Sequence, residues 1–108
     1  MQVAGTTKRV LVCEPDRDVR ALLELSIVKL GYEAAGADDT AVDVVLLEPG
    51  CPVSVSQLRR FGSRVPPVIC ISVHPPEEQV APPETVAYLM KPVRRERLGA
   101  ALRRALAT

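Results

Sequence analysis

Apolar and polar positions follow two rhythms along the chain, one of period two and one of period 3.6. Arg9-Val-Leu-Val-Cys-Glu14 is a short aliphatic run that closes on an acid, the pattern of a buried strand with a polar carboxyl end. Val19, Leu22, Leu23, Ser26, Ile27 and Leu30 then recur at helical spacing, with Asp16 placed to cap the start and Gly31 to end it. This predicts an amphipathic helix of about four turns. Tyr32 to Ala37 reads as a weak second strand, because Ala and Gly favour strands poorly, whereas Val42-Asp-Val-Val-Leu-Leu47 reads as a strong third. Ser54, with Gln57 three residues on, has the form of a capping box and predicts a short helix presenting Val55, Leu58 and Phe61 and closed by Gly62. Val68-Ile-Cys-Ile-Ser-Val73 is a fourth strand. The proline pairs at 75–76 and 82–83 leave room for little more than one helical turn before a fifth strand, Val86-Ala-Tyr-Leu-Met90. Leu98, Ala101, Leu102, Ala105 and Leu106 lay an apolar stripe along a final helix.

Strands alternating with helices imply an α/β fold with a mostly parallel sheet and right-handed crossovers. Aromatic residues make up only 3% of the chain and Trp is absent, so the core is built from Val, Leu, Ile and Ala, as in parallel sheets buried on both faces. A length of 108 residues suits a single domain spanning 1–108. In such sheets ligands gather at the carboxyl ends of the strands, which here carry Glu14, Glu48, Ser72 and Lys91.

Charge and cysteine usage narrow the partners. The formal charge is +1, but 6 of the 14 basic groups and only 1 of the 13 acidic groups lie in 91–108. The arginines of the final helix read as a solvated basic face, and no aromatics interleave for base stacking, so nucleic acid is not an expected partner. No apolar run approaches the roughly 20 residues that span a bilayer, and the start lacks a signal-peptide layout; a cytoplasmic soluble protein is expected. Cys13, Cys51 and Cys70 are odd in number and not at metal-ligand spacing, so reduced thiols are expected and no metal or cofactor is indicated. Cys13 and Cys51 near the carboxyl edge make a redox pair conceivable, against the commoner reading of small buried hydrophobes; Cys70 reads as core and His74 as a loop residue.

The segments Arg9-Val-Leu-Val-Cys-Glu-Pro-Asp-Arg-Asp-Val-Arg20, Asp43-Val-Val-Leu-Leu-Glu-Pro-Gly-Cys-Pro52, Pro67-Val-Ile-Cys-Ile-Ser72 and Tyr88-Leu-Met-Lys-Pro92 together resemble, in order, the four signature regions of receiver domains of two-component response regulators. The resemblance implies a doubly wound five-stranded sheet of order 2-1-3-4-5. It also implies a phosphoacceptor Asp ending strand three, an acidic pair after strand one that holds magnesium, a Ser or Thr ending strand four, and a Lys-Pro after strand five. Glu48, Glu14 with Pro15, Ser72, and Lys91 with Pro92 occupy those places, and Tyr88 matches a switch aromatic. The resemblance further implies a cis Lys91–Pro92 bond, and Glu48 and Lys91 are expected within salt-bridge reach, which would occupy the pocket without a phosphoryl group.

The departures carry the functional information. Glu48 sets its carboxylate one methylene further out than an Asp, and Pro15 replaces one of the metal-binding acids, so metal binding is expected to be weak or absent. The leading reading is a pseudo-receiver, a phosphorylation-independent interaction module that is not an enzyme. Within it, Glu48 either mimics a phosphorylated acceptor or is drift. The alternatives are a receiver that still accepts a phosphoryl group and a ligand-sensing domain reusing the pocket.

In receivers the second, third and fourth helices cover one face of the sheet. Here only Asp38-Asp-Thr-Ala41 joins the second and third strands, too short for a helix where the return covers about 17 Å along and about 10 Å across the sheet. The second helix is therefore expected to be missing and the fourth truncated. The exposed face over strands one, three and four is then expected to dock a homodimer mate or a partner protein.

Overall fold

The computed structural model describes residues 7–107. In chain order the elements are β1 (Arg9–Cys13), α1 (Arg17–Lys29), β2 (Glu33–Ala34), β3 (Val44–Leu47), and α2 (Pro52–Ser56) running into a 3₁₀ turn (Gln57–Phe61). There follow β4 (Val68–Ser72), a second 3₁₀ turn (Pro76–Glu78), β5 (Thr85–Met90) and α3 (Arg95–Leu106). All pairings are parallel, in the order β2-β1-β3-β4-β5. This is the doubly wound sheet expected from the sequence, and residues 35–43 contain no helix.

Local chemistry sets the boundaries. The Asp16 carboxylate accepts the backbone N–H groups of Asp18 and Val19 at 2.9 and 3.1 Å, starting α1 where the sequence placed its cap. Gly31, at φ 95°, takes the left-handed conformation that ends it. The expected Ser54–Gln57 capping box does not form. Pro52 has φ fixed near the helical value and no N–H to leave unsatisfied, so α2 begins there with Cys51 as its cap residue, and Ser54 lies buried inside the helix.

Period-two alternation sorts the strand residues into two cores. Val10, Val12, Val44, Leu46, Ile69, Ile71 and Leu89 face α1 and α3, meeting Leu23, Ile27, Leu98 and Leu102. Leu11, Cys13, Val45, Leu47, Val68 and Cys70 face the other way, against Leu58 with Val55, Phe61 and Val65 at the margin. The sequence left this second face open for want of helices, and the structure corrects that expectation. Those six strand residues are each at most 3% exposed in a single chain. The 3₁₀ turn prolongs α2 without a break, and the pair lays Val55, Leu58 and Phe61 over the sheet. No second copy is required there.

The missing crossover helix has a substitute that the sequence pattern did not disclose. Arg9, at the start of β1, donates through Nε to the Ala41 carbonyl at 2.9 Å, and its guanidinium pairs with both Glu33 and Asp39. Its backbone N–H donates to Asp43 at 2.8 Å. Asp39 in turn accepts the Gly36 N–H at 2.8 Å, so the 36–43 loop is fastened to β1 by polar contacts in place of a packed helix. The Gly36 amide first, and then the Arg9 guanidinium, hold the Asp39 carboxyl below its ordinary range.

Candidate functional site

Pairing beyond the strand ends brings the polar residues together. The Glu48 N–H donates to the Cys13 carbonyl at 3.1 Å and the Lys91 N–H to the Ser72 carbonyl at 2.8 Å, continuing the parallel ladder one residue past β3 and β5. Glu14 and Glu48 thus emerge side by side on neighbouring strands, and Lys91 arrives from the edge.

The Lys91 ammonium sits between the two acids, with Nζ 2.8 Å from Glu14 Oε1 and 2.9 Å from Glu48 Oε1. The Glu48 contact is a hydrogen bond; the Glu14 contact lies off hydrogen-bond alignment and is held by charge. The remaining oxygens are also engaged. Glu14 Oε2 accepts the Asp16 N–H at 3.0 Å, and Glu48 Oε2 accepts the Gly50 N–H at 3.2 Å. Glu14 is only 5% exposed, so its charge needs these partners to remain in a low-dielectric setting.

Two opposed effects act on each member of the pair. Burial works against the Lys91 ammonium, but the Glu14 and Glu48 carboxylates outweigh it and hold Lys91 above the usual lysine range. Burial likewise opposes ionisation of Glu48, but the Lys91 ammonium and the Gly50 amide outweigh it and hold Glu48 below the usual glutamate range. Both groups are charged at neutral pH.

Ser72 is fully buried and its Oγ accepts the His74 N–H at 3.1 Å, while the Tyr88 hydroxyl donates to the His74 carbonyl at 2.6 Å. The Tyr88 hydroxyl thus binds the backbone of the loop after β4. The backbone N–H and carbonyl of His74 are both held by side chains, from β4 and β5 respectively. The Lys91–Pro92 peptide bond is cis.

The site has two members that the sequence did not single out, Gly50 and Gln79. A Cβ on Gly50 would come within 3.3 Å of both Gln79 Oε1 and Glu48 Oε2, so the glycine leaves room for the Gln79 and Glu48 side chains on either side of it. Its only trace in the sequence is the glycine two residues after Glu48.

The three cysteines do not converge on a shared site and all are free. Cys13 and Cys70 are buried on the second face, and burial pushes the Cys13 thiol up to about 11. Cys51, half-buried at the start of α2, is held below the usual thiol range, first by the Ser54 side chain and then by the backbone N–H groups of the first turn. His74 lies in the loop after β4, with Nδ1 3.7 Å from Glu78.

The resemblance to receiver domains implies a magnesium ion at this edge, and the residues here do not fit one. An octahedral cation needs several free oxygens around a shared centre. Both carboxylates already give one oxygen to the Lys91 ammonium and the other to a backbone amide, and Pro15 contributes no side-chain oxygen. Among the described residues, no group of three or more His, Cys, Asp or Glu side chains is placed to hold a metal.

No family model and no curated protein matches the chain. Solved structures do. The receiver domain of a sensor histidine kinase from Pseudomonas aeruginosa PAO1, which has a magnesium ion in its active-site cleft, shares 21% identity at a TM-score of 0.75, over 95% of this chain and 100% of its own. A sensor protein from Polaromonas sp. JS666 shares 24% at 0.76, over 94% and 98%. An orphan response regulator of H. pylori shares 22% at 0.64, over 92% and 96%. The chain has the receiver-domain fold.

Proposed function

We propose that this chain is a pseudo-receiver: a signalling module spanning 1–108 that acts through protein contacts without a phosphorylation cycle. The observation that supports it is the Lys91 ammonium lodged between Glu14 and Glu48 at 2.8 and 2.9 Å. Phosphoryl transfer to a receiver needs a carboxylate free to attack phosphorus and a divalent ion to neutralise the charge that develops. In this pocket the acceptor position holds Glu48, whose two oxygens are taken up by Lys91 and the Gly50 amide, and Pro15 leaves a cation short of a carboxylate. Glu48 then serves as a fixed counterpart of a phosphorylated acceptor, engaging Lys91 continuously. The module is not an enzyme, takes no cofactor, and works in the cytoplasm on a protein partner.

Among the described residues no helix is long and apolar enough to cross a membrane. The test is a magnesium titration of the pocket amides Asp16 and Gly50 by NMR. The reading expects no saturable shift up to roughly 10 mM, a concentration at which a weak carboxylate site would fill. A saturable response at both amides would favour a receiver that retains its metal chemistry.

A further inference from the structure

Helix α1 is apolar on two sides. Its buried side carries Leu23 and Ile27. On the outer side Leu22, Leu25 and Val28 are 65%, 50% and 57% exposed, and Ala21 beside them is exposed as well. At about 100° per residue, Ala21, Leu22, Leu25 and Val28 fall within an arc of about 120°, centred opposite the buried stripe. Asp18 and Lys29, both exposed, fall inside the same arc, one near each end of the helix. An outward face of this kind costs solubility when it stays in water.

We propose that this face is the contact between two copies of the chain, with the α1 helices packed antiparallel about a two-fold axis. The charges choose the occupant. In that arrangement Leu22 of one copy lies across from Leu25 of the other, and the same register sets Asp18 across from Lys29, twice over. The stripe therefore complements itself in both shape and charge, and the two helix dipoles run in opposite directions. Ala21 lets the backbones come close. Beyond Leu22 the stripe continues into a cleft of about 280 Å3 between α1 and the turn after β5, lined by Val19, Leu23, Ile71, Pro92 and Val93. An aliphatic side chain from the second copy can fill it. The contact is smaller than the roughly 800 Å2 per partner of a stable complex, so the dimer is weak, with a Kd of roughly 10–100 µM.

Sedimentation equilibrium of the whole chain between about 10 µM and 1 mM tests this. The expected result is a monomer–dimer equilibrium that Leu25→Glu weakens more than tenfold, with circular dichroism unchanged because Leu25 is half exposed. Leu22→Gln reports on the same contact should Leu25→Glu disturb folding. Asp18→Lys and Lys29→Asp should each weaken the dimer severalfold, and the two together should restore it. A monomer at every concentration, a dimer indifferent to Leu25 and Leu22, or a double variant no tighter than the single ones would each overturn the proposal.

Discussion

Lys91 Nζ and Glu48 Oε1 lie 2.9 Å apart across the end of the sheet, joined by a hydrogen bond although β3 and β5 are not neighbours. The long lysine stem crosses over β4 to reach an acid two strands away, and the second acid, Glu14, makes the ammonium a bridge over three strand ends. The net charge of the cluster is that of two carboxylates and one ammonium, and two backbone amides share the excess.

Replacing Lys91 by Met leaves two carboxylates of low exposure facing each other. The expected loss is about 2–3 kcal/mol in urea unfolding, below the 3–5 kcal/mol of a fully buried broken pair because the Lys91 side chain keeps 17% exposure. Glu48→Gln is milder, about 1 kcal/mol, since Lys91 retains Glu14. If Lys91→Met were as stable as the parent, the cluster would have no structural weight.

The pH profile follows from the signs of the two shifts. Glu48 is lowered in the folded state, so its contribution is whole above the unfolded value of about 4.3 and is lost as pH falls through the depressed folded value. Lys91 is raised, so its contribution is whole below the unfolded value of about 10.4 and is lost as pH rises through the raised folded value. The stability difference between the parent and Glu48→Gln should therefore be level from about pH 5 to pH 10 and shrink on both sides. Urea midpoints measured across pH check this, and a difference that grows in acid would contradict it.

Tyr88→Phe removes the 2.6 Å bond to the His74 carbonyl, which water can partly replace at this exposed position. About 0.5–1 kcal/mol should be lost. Amide exchange in the 73–76 loop should quicken while the core strands are unaffected.

Arg9→Ala unfastens the 36–43 loop from β1, removing the contacts to Glu33, Asp39 and Ala41 together. A fall in Tm of roughly 5 °C is expected, with faster amide exchange at Gly36 and Asp39. An unchanged Tm would mean that the short connection holds itself.

Brief alkylation followed by peptide mapping should label Cys51 well ahead of Cys13 and Cys70. Cys51 is half-buried with its thiol lowered, while the others are buried with theirs raised.

Much of this architecture was legible because its signals are periodic or rest on one side chain. The runs ending at Glu14, Glu48, Ser72 and Lys91 marked four strand ends, and Asp16 and Gly31 bounded α1, since each acts through its own chemistry. Where two signals competed, the pattern misled: Pro52 set the start of α2 before Ser54 could cap it. Leu22 fitted the buried stripe by spacing but lies at its edge, and is 65% exposed. The cover of the second face depends on how a short helix and a 3₁₀ turn tilt over the sheet, a tertiary property without periodic trace. The Arg9 clasp joins residues some 30 positions apart, and no local pattern reveals such a pairing.

Whether the pocket can still take a phosphoryl group is measured most directly by intact mass. The chain is incubated with acetyl phosphate and magnesium, and its intact mass is followed over time beside Glu48→Asp. The parent is predicted to keep its mass throughout, because the Glu48 oxygens are engaged by Lys91 and the Gly50 amide and too few free oxygens remain for magnesium. A gain of one phosphoryl group on the parent, abolished by Glu48→Gln, would contradict the account and identify a working receiver.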